Sequence, residues 1–597
     1  MTFGLGGFVG NTAWPQMING AIMAPLVFLF VFRSVERRRP LVSAAIAGCM
    51  LGISFWSGHH QIPTFIAIAA GLIWITGVLS AVAAWRQSVI PFLVFGALTL
   101  LVASPQILSS QEFYMRSLRW VGTKSPVEFG QQVQYTAHMQ FGLPPAQTLG
   151  LIIPHLYGYV AVYIGITVFV LAIAGSLSVG SNLISRALLI VAVFFLLFSF
   201  GQHTGFHGIL YALVPTLDKS RNLAFAISMV HLAMAVLAAV GLDSLLSLRL
   251  SNKATLRKIF YCLAGFSGLT FLMLLARSML ASDSVTETGS TVFALAAMAS
   301  AALAITLHLF ASERLSWRAA KLCVVALILL ETGTVTGVNF RHEEHGWGFL
   351  GKLSSHDDLA GFLQQNTGHQ RIERNQQDVP WNLGDWHNLD ERGGTVSPLT
   401  SILQAPGPHI WELLGVKYYV ASKPRAADQP IAFTSPSGTH AYLEATPFPR
   451  AWTVHKTTLV QGNDEFARFM QQPKERLRTD APVSRQFRND EIVSCGAGAS
   501  DDVKIAEMTP SRTLLQVDMR CPGLVVLSNV WFPGWVVWVD GKESALDEAY
   551  GFLQSVVVPQ GRHTVEFRYV PLLLYMTLTL ALVCIAMTAF AAFRIKP

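Results

Sequence analysis

Apolar runs long enough to cross about 30 Å of hydrocarbon recur through the first 340 residues, and one more follows a long polar stretch near the C-terminus. The pattern predicts spans at residues 14–32, 41–56, 63–84, 88–103, 160–179, 183–200, 223–248, 259–280, 291–310 and 319–338, with a last one at 572–593. Between the last two the texture changes. Residues 341–489 mix helical and strand-like pieces, whereas residues 495–569 alternate apolar and polar positions, the period of a half-buried strand. Asp540-Gly541 and Gln560-Gly561 supply turns between such strands, and short strands at this spacing predict a small antiparallel sandwich. The expected order is a region of about ten helices at 1–338, a mixed α/β region at 339–490, a β-sandwich at 491–571, and a final helix with its tail at 572–597.

Composition agrees with this division. Hydrophobic residues make up 52% of the 597 and charged residues only 13%, about half the charge of ordinary soluble domains. A disordered chain, a coiled coil and a conventional soluble enzyme are excluded. The formal net charge of +7 is unevenly placed: residues 339–570 carry 22 basic and 27 acidic side chains, so the surplus belongs to the hydrophobic part. Nucleic-acid binding would place that surplus on an exposed domain, and no nucleic-acid partner is expected.

The basic residues fall in alternate loops. Arg33 and Arg37 to Arg39 follow the first span, Arg86 the third, Arg186 the fifth, Arg249 to Lys258 the seventh, Arg314 to Lys321 the ninth, and Arg594 and Lys596 the last. The loops at 57–61 and 281–290 contain neither Lys nor Arg. Positive loops remain in the cytoplasm, so residues 105–159, 202–222 and the whole of 339–570 are expected outside. The fold class is then a polytopic α-helical membrane protein whose extracytoplasmic domain precedes the last helix. Residues 1–16 are Gly-rich and lack Lys and Arg, so the first span would enter from outside, and further helices are expected upstream of Met1.

Several strings resemble the bacterial YfhO-type membrane proteins, a family grouped with the GT-C-like glycosyltransferases. The most specific is Ser528-Asn-Val-Trp-Phe-Pro-Gly-Trp535 through Val539-Asp-Gly541, followed by Pro559-Gln-Gly-Arg-His563 and Tyr569-Val-Pro571. Shorter ones are Gly58-His-His-Gln61, Ser117-Leu-Arg119, Tyr163-Ile-Gly165, Ser220-Arg-Asn222, Gly241-Leu-Asp243, Leu414-Gly-Val-Lys-Tyr418 and Pro449-Arg450, in order along almost the whole chain. The resemblance implies a GT-C-like transferase at the outer face of the bacterial cytoplasmic (inner) membrane, moving a sugar from a polyprenyl-phosphate donor to a cell-envelope glycopolymer acceptor. It also implies a catalytic acid on a first exterior loop, which has no counterpart in this sequence. A non-catalytic membrane scaffold, or a carrier partner for a lipid-linked substrate, is the alternative.

Such a transfer requires a base for the acceptor hydroxyl and cationic groups on the departing phosphate. In the loop after the fourth span, Glu112 and Arg116 are four apart, and Arg116 and Arg119 three apart. A helix would group them on one face, with Glu112 as base or ligand of a divalent metal and the arginines as phosphate ligands; an ordinary interfacial ion pair is the plainer reading. His59 and Gln61, at the mouth of the second and third spans, suit hydrogen bonding to phosphate or sugar, or simple anchoring. Arg221 suits pyrophosphate contact or snorkelling to headgroups.

Inside the spans, His231, Arg277 and Glu331 stand out because intramembrane charge is costly. An Arg277–Glu331 pair, catalytic or structural, would explain two of them. Trp531, Phe532, Trp535 and Trp538 suit a sugar platform or a sandwich core. Of six cysteines only Cys495 and Cys521 lie in the polar domain, where an oxidising compartment would let them pair. No cysteine or histidine set has zinc spacing, so no protein-bound metal is assigned and no cofactor beyond a possible divalent ion is expected.

Overall fold

In a computed structural model of the chain, all residues are described except 1, 13, 81–84, 155–159, 178–181, 216, 252, 281–286, 345–346, 381, 394–398, 400–406, 445, 489, 496–500 and 595–597; the side chains of 246–256, 277–292, 334–350 and 463 are also outside the description. Seven helices among the described residues are long and apolar enough to cross a membrane: Pro15–Val35, Gln61–Ser80, Trp85–Tyr114, Leu223–Leu245, Arg257–Ala276, Phe293–Ala311 and Leu572–Arg594. Pro40–Phe55, Ile166–Ser176 and Leu183–Ser199 are shorter apolar helices, and Trp317–Glu344 occupies the tenth expected position. In Arg257–Ala276 and Leu572–Arg594 the protein itself buries only 11% and 22% of the residues. Water would not tolerate such faces and hydrocarbon covers them without penalty, so the protein is a multi-pass membrane protein.

Side chains at the loops show which helix ends share a side. At one end Arg37 bonds Gln87, Arg186 reaches Ser80 at 3.1 Å and Lys321 pairs with Asp243 at 3.1 Å. At the other, Gln61 donates to the Asn222 carbonyl at 2.6 Å, and Phe113 meets Phe532 of the polar domain at 6.4 Å between rings. The basic loops and the polar domain therefore occupy opposite ends of the bundle.

One expected span is broken. Residues 161–165 run without helix between buried neighbours, and helix Ile166–Ser176 starts only after Gly165 at φ +94°. The first amides of a helix have no intrahelical acceptor, and in hydrocarbon they need one. Glu331 supplies it: its carboxylate oxygens accept from Ile166 N at 2.8 Å and Thr167 N at 3.1 Å. Two aligned amides at the positive end of a helix thus satisfy the buried carboxylate for which Arg277 was the expected partner. The Arg277 side chain lies outside the described residues. His231 secures the same broken segment. Its Nδ1 accepts from Phe8 N at 3.4 Å, so its Nε2 donates to the Val162 carbonyl at 2.9 Å.

The polar domain contains three sheets among the described residues. Strands β1 (Arg371–Arg374), β2 (Val416–Ala421), β3 (Ile431–Thr434) and β4 (His440–Leu443) form a sheet in the order β1-β2-β4-β3. The next three are β5 (Ala451–Val454), β6 (Thr457–Leu459) and β7 (Ala481–Val483), then β8 (Asp502–Thr509), β9 (Arg512–Met519), β10 (Gly523–Val530) and β11 (Trp535–Val539). After them come β12 (Lys542–Ser544), β13 (Asp547–Ala549), β14 (Leu553–Val558) and β15 (Gly561–Tyr569). They build a six-stranded sheet, β5-β10-β14-β13-β7-β6, and a five-stranded sheet, β12-β11-β15-β9-β8. Leu515, Val517, Val537, Val565 and Phe567 of the second sheet pack on Val525, Leu527, Val556 and Val558 of the first, the core of a sandwich. The six-stranded sheet draws strands from both sides of the boundary expected at 490. Strands of three or four residues between helices carry too little alternation to declare their partner; β5 joins because its residues pair Leu524 to Leu527 edge to edge.

Cys495 and Cys521 are joined, with Cα atoms 6.1 Å apart. Beside them His455 places Nδ1 3.3 Å from Cys521 Sγ and Nε2 2.6 Å from Asp501. With both sulfurs oxidised, that trio offers a metal one nitrogen only.

Candidate functional site

At the end of the bundle that faces the polar domain, three of the expected binding residues share one cavity. His59 and Gln61, at the turn before helix Gln61–Ser80, line a space of about 370 Å³ together with Arg119, Lys219, Glu128 and His60. Tyr114, Val127, Phe129 and Val133 close its sides. The turn is made by Gly58 at φ +82°, a conformation glycine adopts without strain.

The long loop after the fourth span carries Arg119 to the cavity. Trp85–Tyr114 stops at Tyr114, so Glu112, Arg116 and Arg119 do not share a helix face as expected. Arg119 instead pairs in a bridge with Val127, and Arg119 Nη1 donates to the Lys219 carbonyl at 3.4 Å. Lys219 is held by Asp218 at 3.0 Å and donates to the Gln131 carbonyl at 2.5 Å. Segments 100 residues apart thereby meet, and both Arg119 and Lys219 line the cavity. Burial, aided by neighbouring His60, pushes the His59 imidazole down to about 4, and burial lowers His60 as well. Both rings are neutral at pH 7, so they serve as hydrogen-bonding groups while Arg119 and Lys219 carry the charge.

Arg116 belongs to an adjoining cavity of about 610 Å³, shared with Ser117, Glu128, Trp531, Phe532 and Glu548. Its guanidinium lies 6.0 Å from the Phe532 ring centre and donates to the backbone carbonyl of Glu112 at 2.9 Å. The expected Glu112–Arg116 ion pair is absent among the described residues, because the loop turns Arg116 toward the polar domain, where Ser117 bridges Leu399. Glu112 lines neither cavity; the carboxylate common to both is Glu128. Burial raises the Glu548 carboxyl to about 7. Arg221 turns away: its guanidinium stacks on the Phe141 ring at 4.7 Å.

Lys219 and Glu128 were present in the sequence as ordinary loop charges. Nothing in their local spacing marks them, since the cavity is made by loops that meet only in the fold. Of the aromatic string, Trp535 packs at a tilt against Tyr569, 5.6 Å between ring centres, within the second sheet, whereas Trp531 and Phe532 face the adjoining cavity.

Compared with known protein families, curated proteins and solved structures, the chain finds no match.

Proposed function

We propose that the protein is a membrane transferase that takes a sugar from a polyprenyl-phosphate carrier and delivers it to a cell-envelope acceptor at the outer face of the cytoplasmic membrane. The observation that carries this reading is the meeting of Arg119 and Lys219 with His59, His60 and Gln61 in one cavity at the end of apolar helices. A phosphate on a lipid tail has its head at that level, and paired cationic donors with neutral imidazoles suit it. The likeness of Gly58-His-His-Gln61, Ser117-Leu-Arg119 and the Ser528 to Pro571 pattern to YfhO-type proteins supports the same reading. The outer-face assignment draws on the basic loops at the opposite end of the bundle and on the Cys495–Cys521 disulfide.

In this scheme the acceptor hydroxyl oxygen attacks the anomeric carbon and its proton passes to Glu128, which takes the role expected of Glu112. The bond from the anomeric carbon to the phosphate oxygen breaks, and the phosphate departs with the electron pair onto Arg119 and Lys219. His59 and Gln61 orient the phosphate or the sugar by hydrogen bonds.

The test is binding and turnover of a polyprenyl-phosphate sugar by the protein in lipid nanodiscs. Arg119→Ala and Lys219→Ala should each weaken binding about tenfold. Glu128→Gln should lower turnover by about 10² or more while binding persists. Unchanged affinity in both cation variants would remove this cavity from the reaction. Binding that responds to these variants without any turnover would leave the carrier or scaffold reading.

A further inference from the structure

A second polar cavity lies wholly within the polar domain, where the four-stranded sheet meets the sandwich. It encloses about 720 Å³ and is walled by Gln370, Arg371, Asn388, Asp390, Arg450 and Asn529 among others. Two arginines meet there. Arg371 donates through Nη1 to the Leu414 carbonyl at 2.6 Å and Ser528 Oγ at 3.0 Å, and through Nη2 to Asn529 Oδ1 at 3.2 Å. Arg450 donates through Nη2 to the same Asn529 oxygen at 3.0 Å and through Nη1 to Asp390 at 3.0 Å.

The charges do not balance. Arg450 keeps only 4% of its side chain exposed, whereas its one carboxylate, Asp390, is 57% exposed. Arg450 Nε is buried without a hydrogen-bond partner among the described residues. Neighbouring carboxylates are committed elsewhere: Glu391 to Arg374 at 2.8 Å and to Gly384 N at 2.6 Å, and Glu373 to Arg392. Burial, with Arg450 alongside, depresses the Arg371 guanidinium to about 9. Two clustered cations facing one exposed carboxylate are expensive to bury, and a guanidinium offers five donors in a fork that matches an oxyanion.

We propose that this cavity binds an oxyanion, a phosphate or a carboxylate group, which docks on Arg450 and Arg371 and displaces Asp390 from Arg450. The site is separate from the membrane-surface cavity, and its occupancy does not depend on the function proposed there.

The test uses the full-length protein in detergent, titrated by calorimetry with inorganic phosphate in one arm and glucuronate in the other. Binding in the phosphate arm, the glucuronate arm or both supports the site and identifies the group it takes. Arg450→Gln should weaken that binding at least tenfold. Asp390→Asn, at a largely exposed position that the fold tolerates, should tighten it about fivefold, because the competing carboxylate is gone. Repeating the titration in Arg119→Ala removes phosphate bound at the membrane-surface cavity, and the part of the binding that Arg450→Gln abolishes should persist there, which separates the two sites. Binding of neither probe, or no tightening in Asp390→Asn, would overturn the proposal; a purely structural arginine pair would lose stability in Arg450→Gln and gain no affinity in Asp390→Asn.

Discussion

Glu331 is a buried acid and Glu548 a half-buried one, and their neighbours give them different consequences. Glu331 accepts two backbone amides at a helix start. Replacing it with alanine leaves both amides without an acceptor in an apolar surrounding, and Glu331→Ala should lose about 3 kcal/mol of stability, read as a lowered Tm in detergent. Glu331→Gln, which keeps one acceptor oxygen, should lose less. Glu548 has no such partner among the described residues, and burial lifts its carboxyl from 4.5 to about 7. The folded protein then holds a proton that the unfolded chain has already released, so stability declines as pH rises from about 4.5 to about 7. Glu548→Gln should flatten Tm against pH across that window; an unaltered slope would show that the carboxyl is not the group responsible.

At the scale of elements, glycine decides how closely two helices approach. Ile166–Ser176 lies against the helix beginning at Ile227 at Gly175 and Gly241, where an added Cβ would stand 2.0 Å from the Leu237 carbonyl oxygen and 1.8 Å from that of Leu171. Small residues allow such contact between membrane helices. Gly241→Ala should force the pair apart and cost more than about 3 kcal/mol. Gly265, in another membrane helix, has open space around its Cα, and Gly265→Ala should be neutral or slightly stabilising. Parallel thermal unfolding of the two variants checks the contrast. Equal behaviour would mean that the helices are not in contact at Gly241.

For the whole molecule, the disulfide closes a loop of 26 residues at the edge of the sandwich. The chain-entropy argument gives it about 3 kcal/mol. Replacing both Cys495 and Cys521 with serine should lower the domain's unfolding temperature, and thiol alkylation without reductant should label neither cysteine in the native protein. Protease added to intact spheroplasts should remove the polar domain, and inverted vesicles should protect it. The reverse pattern would turn the whole topology over.

The apolar runs, the alternate placement of arginines and the strand period after Cys495 were legible because each depends on local spacing: hydrocarbon thickness sets a helix length, and the pleat sets a period of two. His59, Gln61 and Arg119 were likewise recognisable as polar groups at the ends of spans. What the linear order could not reveal was which of them meet. Arg119 meets the Lys219 backbone because two loops fold over each other, Arg116 and Arg221 turn to Phe532 and Phe141 instead, and Glu331 caps a helix broken at Gly165. The two arginines of the polar domain, Arg371 in β1 and Arg450 just before β5, are about 80 residues apart in the chain. Sequence determined the elements because hydrophobic burial acts along the chain; tertiary structure alone chose the partners of each charge, because Coulomb and hydrogen-bond energies depend on distances in space.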